Sequence, residues 1–262
     1  MKGLYAIYRK EMGHYLVSPV AYVVVGVFLF LSAYFFNRLL ISLFQRVIQV
    51  EMATAQFGEA PPFDVPMTAT RQFFDIASTL LLFLTPMLTM GLYSEERKRG
   101  TMELLMTSPV TDTAIVLGKF FASMTLLAIM LLPTLVYFVF MYLHSDPAVP
   151  WLILPCAYLG VLLLGGMLVS LGSFFSSLTE SQLIAAVLSF GAVLVLWVAD
   201  FSTPDDTGVV AAALRYLSVF RHYDPFTRGV LDTSGVTFYV SSIVLWVFLT
   251  IRSLDSIRWR RA

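Results

Sequence analysis

The chain has 262 residues, of which 58% are hydrophobic and only 13% charged, where soluble domains average about 45–50% and about 25%. Too little polar surface remains to clothe a water-soluble globule, so this is the composition of an integral membrane protein. Its 17 basic and 17 acidic residues cancel, which removes net charge as a ground for nucleic-acid binding. The single cysteine, Cys156, excludes an intrachain disulfide, a thiolate metal cluster and a redox pair.

In chain order, Met1 to Tyr15 carry Leu4, Ile7, Tyr8, Met12 and Tyr15 at spacings of three or four, with Arg9, Lys10 and His14 elsewhere. This pattern predicts an N-terminal amphipathic helix along the cytoplasmic interface, its cations near anionic headgroups. It serves either as a flanking anchor or as a connecting helix. Six apolar runs then follow at 17–36, 73–93, 120–143, 151–175, 183–199 and 236–251, each near the roughly 17–25 helical residues needed to cross a bilayer core. The runs are continuous rather than alternating with period two, which excludes a strand barrel. The expected fold is an all-α integral membrane protein with six transmembrane helices, one transmembrane domain spanning 1–262. Pro86, Pro133 and Pro155 fall inside spans and should kink them. The first run is longer than the 7–15 residues of a cleavable signal and lacks an Ala-x-Ala-like site, so it reads as retained.

The first outer loop, Asn37 to Gln72, contains Pro61-Pro62 and Pro66, and its part from Leu40 to Phe57 extends the first span as a helix. The fifth loop, Asp200 to Gly235, opens with a turn-rich stretch. Two short amphipathic pieces follow, around Leu214 and Leu217 and around Phe226, Val230 and Leu231, broken at Asp224-Pro225. It forms either a partly re-entrant hairpin or a capped loop. Lys2, Arg9 and Lys10, then Arg97, Lys98, Arg99 and Lys119, then Arg252, Arg258, Arg260 and Arg261 all fall on one side of six spans. By the positive-inside rule both termini are cytoplasmic.

The segment from Ser94 to Val110 is the most informative. Ser94 can cap a helix whose Glu95 and Glu96 complement the positive end of its dipole. Gly100 lets the chain turn, and Thr101 can cap a second short helix with Met102, Leu105 and Met106 on one apolar face. Ser108-Pro109 ends it. The product is a short surface helix held between two transmembrane rods, so force on it becomes motion in the membrane.

This segment, Glu95-Glu-Arg-Lys-Arg-Gly-Thr-Met-Glu-Leu-Leu-Met-Thr-Ser-Pro-Val110, resembles the type-two ABC-transporter permeases, and within them the gliding-motility and nitrous-oxide-maturation type. Tyr8-Arg-Lys-Glu-Met12, Ser18-Pro-Val-Ala-Tyr22, Leu117-Gly-Lys119, Ser176-Ser-Leu-Thr-Glu180, Arg228-Gly-Val-Leu-Asp232 and Arg252-Ser-Leu254 extend the resemblance over essentially the whole chain. It implies that Thr101, Met102, Glu103, Leu104, Leu105 and Met106 form a coupling helix docking on a separate cytoplasmic P-loop ATPase, with Glu96, Arg97 and Gly100 shaping the approach. The turn containing Thr179 and Glu180 resembles a second cytoplasmic contact, and equally a plain capping turn. Read without the resemblance, the Thr101 segment is an ordinary basic surface helix.

No Gly-x-x-x-x-Gly-Lys-[Ser/Thr], His-Glu-x-x-His or Gly-x-Ser-x-Gly occurs in the chain, so it carries no phosphate loop, zinc-protease helix or nucleophile elbow of its own. His14, His144 and His222 are far apart, and no metal site is expected. His222 beside Tyr223 and Asp224 reads as an exposed loop histidine. Asp75, Glu180 and Asp200 lie near span ends, against the mid-membrane ionisable group that an ion-driven carrier needs. Gly165, Gly166, Ser170 and Gly172 form a small-residue seam, facing either a second copy or a neighbouring helix of the same chain. The expected function is the non-enzymatic membrane subunit of an ABC exporter in a bacterial cytoplasmic (inner) membrane. ATP and Mg sit on the partner ATPase, a second permease copy or a related chain completes the pair, an auxiliary protein sits at the outer face, and no cofactor is bound here. The alternative is a structural membrane anchor of an envelope or motility assembly.

Overall fold

The computed structural model describes residues 2–58, 64–106, 110–144, 151–198 and 218–259, and every regular element among them is helical. α1 spans Lys2–Val17 and α2 Pro19–Phe57. α3 spans Val65–Thr89, with the short α4 (Ser94–Lys98) and α5 (Thr101–Met106) after it. α6 (Asp112–Leu131) passes through a 3-10 turn at Leu132–Thr134 into α7 (Leu135–His144). α8 (Ile153–Leu178), α9 (Gln182–Val198), α10 (Val219–Thr227) and α11 (Thr233–Trp259) complete the described chain.

Five helical stretches are long and apolar enough to cross a membrane, built on α2, α3, α6 with α7, α8 and α11. The run expected at 183–199 is the apolar α9, shorter than these at 17 residues. α2 is one unbroken helix of 39 residues, so the helical extension expected from Leu40 to Phe57 is present. α3 starts at Val65, well before the expected 73, because the Asp64 carboxylate accepts from the Met67 N–H at 3.0 Å and Pro66 is fitted to the first turn. The prolines act unequally. Pro133 converts one turn between α6 and α7 to 3-10 geometry, Pro86 sits in the last turn of α3, and Pro155 falls in the first turn of α8, where its missing N–H costs no helical bond. The Pro61-Pro62 break, the Ser108-Pro109 stop, the turn 145–150 and the segment holding Asp200, Leu214 and Leu217 lie outside the described residues.

α8 is the axis of the bundle, packed against α3, α6, α9, α10 and α11. Its glycines set the spacing. A Cβ on Gly165 would lie 2.4 Å from Leu127 Cδ1 of α6, one on Gly172 2.1 Å from Thr89 Oγ1 of α3, and one on Gly166 3.0 Å from Ile243 Cδ1 of α11. Ser170 is buried, its hydroxyl donating to the Met167 carbonyl. Of the two faces open to this seam, the one it takes is the interior of its own chain. Toward the other end, interlocked Phe36, Phe73, Phe74, Tyr137, Phe138 and Tyr158 rings tie α2, α3, α7 and α8 together. α10 closes this end: Ser218 caps it, and Phe226 packs so near Gly160 that a Cβ there would meet it at 2.6 Å. His222 lies on α10 with its ring stacked on Phe238 at 4.1 Å, not on an exposed loop, and Asp224 pairs with Arg71 and Arg228.

Gly172→Ala is expected to destabilise the purified protein by about 1–3 kcal/mol through overpacking against Thr89. Gly191→Ala, whose Cβ would have nothing within 4 Å, should be neutral or stabilise by up to about 1 kcal/mol. Thermal melts followed by size-exclusion chromatography compare the two.

Candidate functional site

α1 does not stand apart from the bundle. It packs along α6 and against the chain just before it. Gly3 meets Val110, and Ile7 lies over Gly118 so tightly that a Cβ there would be 2.8 Å from Ile7 Cγ2 and 3.2 Å from the Leu4 carbonyl. Further along, the Tyr15 and Ser123 hydroxyls hydrogen-bond at 2.8 Å, and Tyr8 donates to Thr125 at 3.2 Å. The apolar face read from the sequence is therefore spent on the first turns of α6.

Between these contacts lies Lys119, only 1% exposed. Its ammonium donates to Glu11 Oε1 at 2.9 Å and to the Leu92 carbonyl at 2.7 Å, stands 3.1 Å from Glu96 Oε2 and lies 5.2 Å from the Tyr93 ring centroid. Lys10 donates to Glu96 Oε1 at 2.7 Å and is 3.5 Å from Glu11. Two cations and two carboxylates thus close a neutral cluster, the condition under which buried charge is tolerated. Partial burial would pull the Lys10 ammonium's pKa down, but the hydrogen bond and charge of Glu96, with Glu11 adding, outweigh it and raise it above the ordinary lysine value. Lys10 therefore stays protonated throughout the neutral range.

Glu96 brings α4 into this cluster, and α4 is held from its other side by α8. Ser94 does not cap α4 as expected, because its hydroxyl bonds back to the Met90 carbonyl. The cap comes from α8. Ser176 Oγ accepts from the Tyr93 and Ser94 N–H groups at 3.1 and 3.3 Å and donates to the Met90 carbonyl at 2.9 Å, satisfying donors that a helix start leaves open. Arg97 Nη1 donates to the Ser177 carbonyl at 2.6 Å, and Nη2 lies 3.5 Å from Glu180. Thr179 Oγ1 accepts from the Ser181 N–H and shapes that turn. The two segments singled out in the sequence, 94–106 and 176–182, are in direct contact.

Gly100 turns the chain with φ +70°, a region that side-chain-bearing residues avoid, and α5 follows. Met102 is buried and Leu105 half-buried against the cluster of Ile7, Tyr93 and Ile115, while Glu103 is exposed and Leu104 is 74% exposed. Thr101 Oγ1 donates to the Glu96 carbonyl at 3.3 Å, and the Met106 side chain lies outside the described residues. α5 is a short helix anchored by one face with an acidic and apolar edge outward. A cavity of about 320 Å³ separates this assembly from the start of α2, with Lys10, Glu96 and Lys119 on one wall and Val20, Ala21 and Val24 on another. Among the described residues no group of His, Cys, Asp and Glu is arranged to hold a metal ion. α5 is thus joined through the Glu96 carbonyl to α4, and α4 is held to α6 at Lys119 and to α8 at Ser176 and Ser177.

The sequence patterns included Lys119 as a cation of one side and Glu11 within Tyr8-Arg-Lys-Glu-Met12, but did not pair the two. The signal was there, since Glu11 falls four residues from both Ile7 and Tyr15, on the apolar face of α1.

Residues 5–253 match the ABC-2 family transporter protein family. The chain belongs to this family and is a multi-pass transmembrane subunit of the ABC-transporter type. A comparison with curated proteins gives no match.

Lys119→Met leaves Glu11 and Glu96 without their buried cation and should cost about 3–5 kcal/mol. Adding Glu11→Gln and Glu96→Gln should recover most of that loss, because the stranded charges go with their partner. Melting temperatures of the single and triple variants check this, and a triple variant no more stable than the single one contradicts the cluster as a coupled unit.

Proposed function

We propose that this permease couples ATP hydrolysis by a separate cytoplasmic P-loop ATPase to export, and that α5 is the helix on which the ATPase docks. The observation that carries the reading is the pairing of an outward Glu103 and Leu104 edge with an inward anchor. That anchor is the buried Met102 and the bond from Thr101 to the Glu96 carbonyl, and α4, which carries Glu96, is held in turn by Lys119 and by Ser176 and Ser177 of the central helix. ATP and Mg bind on the partner, whose closure pushes α5; Glu96, Arg97 and Gly100 set its approach, and Thr179 and Glu180 flank it as the second contact.

In this reading α9 is the sixth span, shorter than the rest, and both termini are cytoplasmic in a bacterial inner membrane. The 1–262 chain acts as one permease domain. Two copies, or one copy with a related chain, combine with two ATPases in the gliding-motility or nitrous-oxide-maturation manner, with an auxiliary protein at the outer face. ATP shifts the bundle only through its differential affinity for the two states, so the permease is the bistable element.

Gentle purification from native cells should yield the chain with a stoichiometric P-loop ATPase. Leu104→Asp and Glu103→Lys are expected to weaken that association tenfold or more, about 1.4 kcal/mol or above, while the elution profile of the permease is unchanged. Leu105→Pro should abolish it. Retention of the ATPase by all three variants contradicts docking at α5.

A further inference from the structure

The back of α2, away from the bundle, carries a second pattern. α2 turns Val24, Phe28, Phe36, Leu39 and Leu43 into the core. On the roughly opposite side, spacings of three and four alternate without a break. Val20, Val23, Val27, Phe30 and Tyr34 come first, then Asn37, then Ile41, Phe44 and Ile48. All are exposed, Phe44 to 66%. A strict 3,4 alternation over four heptads repeats every 3.5 residues, the period of a supercoiled seam and not of a straight amphipathic helix.

Lipid accounts for only part of it. At 1.5 Å per residue, the 39 residues of α2 make a rod of about 58 Å against a hydrocarbon core of about 30 Å. No charged residue occurs from Pro19 to Asn37, and Arg38 is the first, which is where about 30 Å of helix ends. Ile41, Phe44 and Ile48 therefore continue the apolar seam for two further turns beyond the hydrocarbon, where lipid does not cover them. The glycine seam of α8 is closed by side chains of its own chain and is not available to a mate.

We propose that this face of α2 pairs with the same face of a second copy, as a parallel two-stranded stalk that begins in the membrane and continues beyond its outer face. Copies inserted with one orientation meet in parallel, so a two-fold axis along the seam places each residue near its own counterpart. Asn37 then meets Asn37 of the mate at the edge of the hydrocarbon, a polar pair of the kind that fixes coiled-coil register. Three aromatic and five aliphatic side chains, with about 150–250 Å² for each fully covered aromatic, bring the seam to the order of the 800 Å² per partner of a standard stable interface. Glu51, next in the alternation, faces its like charge and ends the pairing.

The inference rests on the two-copy reading above, and the test separates the two. In a Cys156→Ser background, Ile41→Cys, Phe44→Cys and Ile48→Cys are compared with the off-seam Arg46→Cys and Gln49→Cys by oxidative cross-linking in native membranes, alongside co-isolation of two differently tagged copies. The seam positions should give at least tenfold more covalent dimer than the off-seam positions. Equal or absent cross-linking with co-isolation intact overturns the stalk and leaves the two-copy reading standing. Failure of the tagged copies to co-isolate overturns both.

Discussion

A single buried ammonium organises the end of the bundle at which α1, α4 and the start of α6 meet. Lys119 is all but sealed from solvent, and a lysine so placed is stable only when its three donors find acceptors and its charge finds countercharge. The partners come from two separate stretches of chain: Glu11 of α1, and the Leu92 carbonyl with Glu96 of α4 from the Leu92 to Lys98 segment. Because each carboxylate also faces Lys10, moving any one element away strands charge in the others. α1 and α6 also cross closely at Gly118, where a Cβ would meet Ile7 and the Leu4 carbonyl.

The second attachment has different physics. Ser176 and Arg97 join α4 to the end of α8 through hydrogen bonds to backbone groups that a helix terminus leaves open. Such bonds are directional and short-ranged, so they fix the place of α4 against the end of α8. The glycines of α8 in turn bring α3, α6 and α11 close to its backbone. The start of α2 borders the cavity beside Lys10 and Val20, while Ala21 packs into the same apolar cluster as Ile7, Tyr93 and Met102.

The helical class and the positions of the apolar rods were legible in composition and run length alone, since a bilayer imposes both. α5 was legible too: Gly100 requires its positive φ, and Met102 and Leu105 fall three apart on the face that packs inward. Local patterns stop where partners are remote in sequence. Ser94 looked like its own cap, yet the cap is Ser176, more than eighty residues on. Lys119 read as one more loop cation under the positive-inside rule, because its partner Glu11 lies 108 residues away. The glycines of α8 announced a close approach but not its partner, which only the placement of Leu127, Ile243 and Thr89 decides.

The central claim is that α1, the Leu92 to Lys98 segment and the first turns of α6 are one cooperative body. Native-state hydrogen exchange of the purified protein, followed by mass spectrometry over a series of low denaturant concentrations, tests it directly. The account predicts that amides of these three segments share one opening free energy and one denaturant dependence. Opening of α1 at lower free energy, with the Leu92 to Lys98 segment and α6 still protected, would contradict it.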